Sequence, residues 1–310
     1  MKVAFIFPGQ GSQSIGMFDA WSDNHAAMQT INQSSDALGQ DLLSLMANGP
    51  AEDLNLTTNT QPVMLAASIA MYNAWIDAGG LVPAMMAGHS LGEYTALTAA
   101  GTLNLNDAVR LVRIRANAMQ EAVPVGEGAM AAVLGLDDDA VREVCKQASN
   151  GQVVEAVNFN APSQVVIAGH ADAVDRACKI ATENGARRAV ALPVSAPFHS
   201  SLLAPAARVL AKALSDMHLK EPSVPVINNV DVQSPSSVSD ITNALERQAW
   251  HPVRWVETIH AMKKHGITHL VECGPGKVLS GLTRRIDRDL VSLSISDPAS
   301  LQATIETLQG

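Results

Sequence analysis

Residues 84–92 read AMMAGHSLG, and this stretch gives the clearest indication of the fold class. Residues 84–87 are a short apolar run, which predicts a buried β-strand, and a helical pattern begins after Gly92. The segment between them matches G-x-S-x-G, the pattern of a sharp strand-to-helix turn that exposes a serine hydroxyl, here that of Ser90. Strand, turn and helix in series predict an α/β protein.

The same alternation of strands and helices continues on both sides of this stretch. Further predicted elements are strands at residues 2–7, 226–229 and 269–272, and a long helix at 61–78. Strands that alternate with helices imply a mostly parallel sheet covered on both faces. We therefore predict a hydrolase-like large domain that is discontinuous in sequence and comprises residues 1–125 and 198–310.

Residues 126–197 follow a different pattern. The predicted order is strand, helix, strand, strand, helix and strand, at residues 130–136, 137–149, 153–159, 164–168, 171–184 and 186–194. This order is typical of a ferredoxin-like βαββαβ unit. Because the other pattern flanks it on both sides, we predict that residues 126–197 form an inserted ferredoxin-like subdomain.

Composition excludes several classes of protein. The 310 residues include 21 Lys+Arg and 30 Asp+Glu, giving a formal charge of −9, and 47% are hydrophobic. Such a chain can bury a large core, which excludes intrinsic disorder. Its acidity argues against nucleic-acid binding, because a protein that follows a phosphate backbone needs a basic surface.

The sequence also predicts a cytoplasmic protein without a membrane anchor. No stretch approaches the roughly 18 consecutive apolar residues that a membrane-spanning helix requires. The apolar run at residues 2–7 is too short for a signal peptide. The three cysteines, Cys145, Cys178 and Cys273, are far apart and odd in number, so they predict neither a disulfide framework nor a metal site.

Ser90 is a candidate nucleophile, although an ordinary turn is the plainer interpretation of residues 88–92. A serine hydroxyl needs a neighbouring base. Of the nine histidines, His199 lies in the connection that returns from the inserted unit to the large domain, where a cleft would form. We expect His89, directly beside the serine, to have a structural role.

Arg115 occupies an unusual position on its predicted helix. At 100° per residue it falls about 40° from Leu111, among apolar residues. A guanidinium on an apolar face is costly unless it meets an anion. The sequence leaves two anions open, an internal carboxylate or a bound ligand.

With these residues assembled, the sequence closely resembles the malonyl-CoA:acyl carrier protein transacylases of bacterial fatty-acid synthesis. The resemblance covers nearly the whole chain, and several of its motifs are specific to this family when they occur together. The matching stretches are FPGQGSQ at 7–13, TQP at 60–62, GHSLGEY at 88–94, Arg115, VNFN at 157–160, PFHS at 197–200, NNV at 228–230 and GPGKVL at 274–279.

This resemblance implies an acyltransferase that moves the malonyl group from malonyl-CoA to the phosphopantetheine thiol of acyl carrier protein. It implies no separate cofactor, because coenzyme A is part of the substrate. Ser90 would carry the malonyl group, and His199 would act as the base. The main-chain N–H groups of Gln10 and Leu91 would form the oxyanion hole.

The resemblance also implies roles for the remaining site residues. The main-chain carbonyl of Gln248 would orient His199, although the sequence alone leaves the acids Glu93 and Asp107 available. Arg115 would bind the malonyl carboxylate. Phe198 would exclude branched acyl groups, and Gln10 and Asn160 would also contribute to substrate binding.

Three alternatives remain open on the sequence alone. They are a serine thioesterase or esterase on the same scaffold, an acyltransferase of a polyketide pathway, and a docking subunit without catalysis. The carrier protein is acidic, so a local basic patch would have to receive it. The candidate residues are Arg187, Arg188, Lys277, Arg284 and Arg285.

Overall fold

The computed structural model describes residues 1–194 and 196–309 of the chain. In these residues the strands, numbered in chain order, are β1 Val3–Phe7, β2 Met85–Gly88, β3 Gly128–Leu134, β4 Val154–Ala161, β5 Gln164–His170, β6 Arg188–Ala191, β7 Val226–Ile227, β8 His269–Cys273 and β9 Val291–Ile295. The α-helices of the same residues are α1 His25–Leu38, α2 Leu42–Asn48, α3 Ala51–Asn55, α4 Thr57–Asp77, α5 Leu91–Ala99, α6 Leu105–Glu121, α7 Asp138–Ala148, α8 Ala171–Glu183, α9 Ala204–Ser215, α10 Val238–Gln248, α11 Trp255–Lys264, α12 Val278–Ile286 and α13 Pro298–Gln309.

A five-stranded sheet organises the larger part of the described chain. Its strand order is β7-β2-β1-β8-β9, and every neighbouring pair is parallel. All residues of β1 are buried, as expected for a central strand covered on both faces. The predicted α/β fold with a mostly parallel sheet is confirmed.

The two faces of β1 belong to different parts of the core, because successive side chains of a strand point to opposite faces. Phe5 and Phe7 contact the ring of Tyr72 in α4, with centroids 5.8 and 6.1 Å apart. Ile6 faces the other way and packs in the cluster that contains Trp255 of α11. Helices therefore cover both faces of the sheet. Ser90 follows the carboxyl end of β2 and so lies at the edge of the sheet.

A second, antiparallel sheet has the strand order β4-β5-β3-β6. Along the chain its elements follow the order strand, helix, strand, strand, helix and strand, with α7 and α8 packed against it. Main-chain hydrogen bonds join β4 to the segment before α11, from Phe159 to Val253 at 3.0 Å and from Val253 to Val157 at 2.8 Å. The boundaries 126–197 for an inserted subdomain stay a prediction.

Most predicted elements have slightly different bounds in the structure, and two of the larger differences lie in the large domain. The long helix begins at Thr57, so Pro62 lies inside it rather than near its start. The strand predicted at 226–229 ends at Ile227. Asn229 leaves the strand because its main-chain N–H donates to the buried carboxylate of Glu93, at 2.9 Å, instead of to a strand neighbour.

No helix in the described ranges 1–194 and 196–309 is both long and apolar enough to cross a membrane.

Candidate active site

Ser90 lies on the turn between β2 and α5, with a positive φ of 52° that non-glycine residues rarely adopt. The flanking glycines are required by close packing. A Cβ on Gly88 would lie 1.8 Å from the main chain of Gly92, and one on Gly92 would lie 2.1 Å from the main-chain oxygen of Phe7. The turn therefore fits tightly against β1 and holds the serine hydroxyl above the sheet edge.

His199 lies beside this serine although 109 residues separate the two in sequence. Its Nε2 is 2.7 Å from Ser90 Oγ, and its Nδ1 is 2.8 Å from the main-chain oxygen of Gln248. A carbonyl oxygen only accepts hydrogen bonds, so Nδ1 must carry the proton and Nε2 must offer its lone pair to the serine. The orienting group is thus this carbonyl, and neither Glu93 nor Asp107 takes that place.

The surroundings of His199 keep its imidazole neutral. Burial, followed by the positive charge of Arg115, lowers the pKa of His199 from 6.5 to about 3. Both effects disfavour the imidazolium form. The ring is therefore neutral across the physiological pH range.

Arg115 is buried on α6, with 1% of its surface exposed, and its Nη2 lies 3.1 Å from Ser90 Oγ. Its guanidinium also lies over the ring of Tyr94, 5.2 Å from the centroid. None of the ion pairs between described residues includes Arg115. Of the two anions that the sequence left open, the described residues provide no carboxylate in an ion pair with Arg115, and the guanidinium lines the pocket instead.

A pocket opens above Ser90, between the large sheet and the antiparallel sheet. Its lining brings together the predicted residues Gln10, Leu91, Arg115, Phe198 and His199. Leu91 is the first residue of α5, so its N–H is one of the helical amides that have no intrahelical acceptor. The pocket therefore combines a serine, a neutral base, a cation and a helix N-terminus.

Proteins of known identity resemble this chain over its whole length. The sequence profile described as the acyl transferase domain matches residues 4–288. The malonyl CoA-acyl carrier protein transacylase of Escherichia coli K12 is 50% identical over 306 residues, which are 98% of this chain and 99% of that protein. The chain belongs to the malonyl CoA-acyl carrier protein transacylase family. The family that the sequence motifs indicated is confirmed.

Solved structures of this transacylase family share the fold. The acyl-carrier-protein S-malonyltransferase from Burkholderia pseudomallei 1710b is 59% identical and superposes with a TM-score of 0.98. The alignment covers 99% of this chain and 100% of the other. A malonyl-transacylase in complex with its type II PKS acyl-carrier protein is 46% identical, also with a TM-score of 0.98, and covers 99% of this chain and 100% of the other.

Asn160 lies outside the lining of the pocket in this member of the transacylase family. Its Oδ1 is 2.7 Å from His89 Nε2. Burial lowers the pKa of His89, so its ring is neutral. His89 itself lines the pocket, so its structural role and a substrate-binding role for Asn160 both stay predictions.

A buried polar network behind Ser90 was missed by the sequence analysis. Asn229 accepts from the N–H of Ser90 at 2.8 Å and donates to the main-chain oxygen of Gly88, also at 2.8 Å. Glu93 accepts from Gln248 Nε2 at 3.0 Å and from the N–H of Asn229. Burial raises the pKa of Glu93 to about 7, against the opposing effect of these donors. The network fixes the turn that carries the serine.

The sequence contains a signal for part of this network. Glu93 lies on a helix where the residues three and four positions on, Ala96 and Leu97, are apolar, so its carboxylate shares a face with apolar side chains. A charged residue in such surroundings predicts a buried partner, as the same argument did for Arg115.

The candidate docking residues are not all in one place. Arg187, Arg188 and Arg285 line one surface groove, and Arg285 Nη1 donates to Gln164 Oε1 at 2.6 Å. Lys277 and Arg284 are exposed but do not line it. This positive groove gathers three of the five candidate residues, and the docking face stays a prediction.

Proposed function

We propose that this protein transfers the malonyl group from malonyl-CoA to the phosphopantetheine thiol of acyl carrier protein, which supplies fatty-acid chain elongation. The relatives named above as malonyl CoA-acyl carrier protein transacylases support both substrates. The observation that carries the proposal is the buried guanidinium of Arg115, which forms no ion pair with a described residue and lies 3.1 Å from Ser90 Oγ in the pocket. A carboxylate on the acyl group matches a planar guanidinium, which can bind it through two parallel hydrogen bonds.

In the first half-reaction, Ser90 Oγ attacks the thioester carbonyl while its proton moves to His199 Nε2. A bond between Oγ and the carbonyl carbon forms, the carbon–sulfur bond breaks, and the proton on Nε2 passes to the departing sulfur of coenzyme A. The N–H groups of Gln10 and Leu91 would hold the negative oxygen of the tetrahedral intermediate, a contribution typically worth about 10²–10³ in rate per donor.

The second half-reaction reverses these roles. The thiol of acyl carrier protein gives its proton to His199 Nε2 and attacks the malonyl ester on Ser90. The ester bond to Oγ breaks and the serine regains its proton, so the sequence is ping-pong. Arg115 holds the malonyl carboxylate throughout, and Phe198 limits the size of a branch on the acyl group.

The proposal includes the carrier-protein surface and the cellular setting. An acidic carrier protein would contact the groove of Arg187, Arg188 and Arg285, since complementary charge speeds association. No separate cofactor is needed, because both reactants bring their own thiols. The free thiols of Cys145, Cys178 and Cys273 fit a reducing cytoplasm.

Intact mass measurement tests this function. Incubation of the purified protein with malonyl-CoA should add one malonyl group, and the variant Ser90→Ala should show none. Addition of holo acyl carrier protein should move the group to the carrier thiol. Absence of an adduct on the wild type would favour the docking role. Hydrolysis that dominates at saturating carrier protein would favour the thioesterase.

A kinetic comparison distinguishes the two pathways. The values of kcat/KM are measured with the carrier proteins of fatty-acid and of polyketide synthesis, and the higher value indicates the pathway that the protein serves.

A further inference from the structure

Two glutamine side chains hold the terminal nitrogens of Arg115. Nη1 donates to Gln61 Oε1 at 2.7 Å, and Nη2 donates to Gln248 Oε1 at 2.9 Å. Both glutamines are buried, with 1% and 0% of their surfaces exposed. Because both acceptors are neutral, they fix the guanidinium plane without cancelling its charge.

Three separate elements converge to make this arrangement. Gln61 lies on α4, Arg115 on α6, and Gln248 is the last residue of α10. The second hydrogen bond of Nη2 goes to Ser90 Oγ, so the guanidinium contacts both glutamines and the serine hydroxyl at once. Each terminal nitrogen carries two N–H groups, so a carboxylate bound in the pocket can accept the second N–H of Nη1 and take the place of Ser90 Oγ on Nη2.

We propose that Gln61 is a specificity-positioning residue that, with the side chain of Gln248, aims Arg115 at the acyl group and leaves its charge available for a carboxylate. This inference rests on the proposed malonyl transfer. A neutral acceptor is essential to it. A carboxylate at the position of Gln61 Oε1 would form an ion pair with Arg115, and the charge of the guanidinium would then be satisfied from within the protein.

The variant Gln61→Glu tests the importance of a neutral acceptor. We expect the ratio of kcat/KM for malonyl-CoA to that for acetyl-CoA to fall about tenfold or more, the range associated with a charge-assisted hydrogen bond. Gln29→Glu is the matched control, because it adds the same charge on the exposed surface of α1. The control should leave the ratio at the wild-type value.

The variants Gln61→Met and Gln248→Met test the aiming role separately. Each removes the acceptor of one Arg115 nitrogen. Gln248→Met keeps the main-chain carbonyl that orients His199 but also removes the Nε2 donor to Glu93, so Gln61→Met is the cleaner test. Both should raise the KM for malonyl-CoA more than that for acetyl-CoA. In an Arg115→Ala background, neither Gln61 variant should change the malonyl to acetyl ratio further, because the group it positions is gone.

Gln61 variants that melt at the wild-type temperature but lose kcat/KM equally for malonyl-CoA and acetyl-CoA would overturn this inference. Gln61 would then have a structural role only. If Gln61→Met does not fold, Gln61→Glu measured against Gln29→Glu still decides the inference, since an unchanged malonyl to acetyl ratio there would overturn it. Failure of the proposed function is distinguishable, because it would appear as the absence of malonyl transfer by the wild type itself.

Discussion

His199 Nδ1 donates to the main-chain oxygen of Gln248 at 2.8 Å, so a peptide carbonyl holds the place that a carboxylate occupies in a Ser-His-Asp triad. A neutral carbonyl fixes the tautomer as well as an acid does. It adds no negative charge to stabilise the imidazolium, however, and Arg115 nearby opposes that form further. The site therefore combines a well-oriented base with a low pKa.

This low pKa predicts an unusual pH dependence. A histidine base of ordinary pKa loses activity below about pH 6.5 as it becomes protonated. With the pKa of His199 lowered to about 3, kcat/KM for malonyl-CoA should show no such acid limb. The profile should be recorded for the wild type and for Glu93→Gln, because the pKa of Glu93 lies near 7. A limb near pH 6.5 that persists in the variant would contradict the prediction.

Arg115→Ala should reduce malonyl transfer by about 10²-fold or more. It removes the cation that would pair with the bound malonyl carboxylate, and truncating one partner of a buried charge pair is costly. Acetyl transfer, which uses no carboxylate contact, should survive or improve. Arg110→Ala is a matched control on the same helix, where the side chain is exposed. Steady-state rates with both donors provide the measurement, and equal losses would show that Arg115 is structural.

Gly92→Ala should destabilise the fold, because the added Cβ would lie 2.1 Å from the main-chain oxygen of Phe7. Overpacking against a main chain costs about 1–3 kcal/mol. Gly281→Ala on α12 is the control, since no atom lies within 4 Å of its added Cβ. That change should be neutral or stabilising by up to about 1 kcal/mol. Denaturant unfolding measures the free energy of unfolding of both variants. Equal free energies for Gly92→Ala and Gly281→Ala would contradict this prediction.

Glu93→Gln should change how stability depends on pH. Burial raises the pKa of Glu93 from 4.5 to about 7, so the folded state holds a proton that the unfolded state has lost. Stability from this group is therefore present below pH 4.5 and is lost as the pH rises to about 7. The variant lacks this loss. Its melting temperature relative to the wild type should rise across that window, and a constant difference would contradict the assignment.

Charge reversal in the positive groove should weaken the use of carrier protein. Arg188→Glu and Arg285→Glu should each raise the KM for acyl carrier protein, and the effect should shrink at high salt because screening weakens exposed charges. Lys212→Glu on α9, outside the groove, is the control. The rate at which malonyl-CoA malonylates Ser90, measured by intact mass, should be unchanged in these variants, because that half-reaction does not involve the carrier protein. Unchanged KM values in both groove variants would place docking elsewhere.

Local sequence was enough to predict several features of the site. The run before Gly88 and the helix after it predicted the turn, because strand and helix patterns have different periods. Helical periodicity likewise placed Arg115 on an apolar face, and the structure finds it buried there. The end of the strand at 226–229 was not predictable, since Asn229 turns away to meet Glu93, which lies 136 residues earlier.

The sequence by itself determined the α/β class, the tight turn at Ser90, and the presence of a cation that an apolar helix face cannot leave unsatisfied. Only the tertiary structure decided which groups surround that cation and that serine. Gln61, Arg115 and Gln248 come from α4, α6 and α10, and their side chains meet because those helices pack together. Local periodicity specifies which face of a helix is buried, but the partners found there depend on the packing of elements distant in sequence.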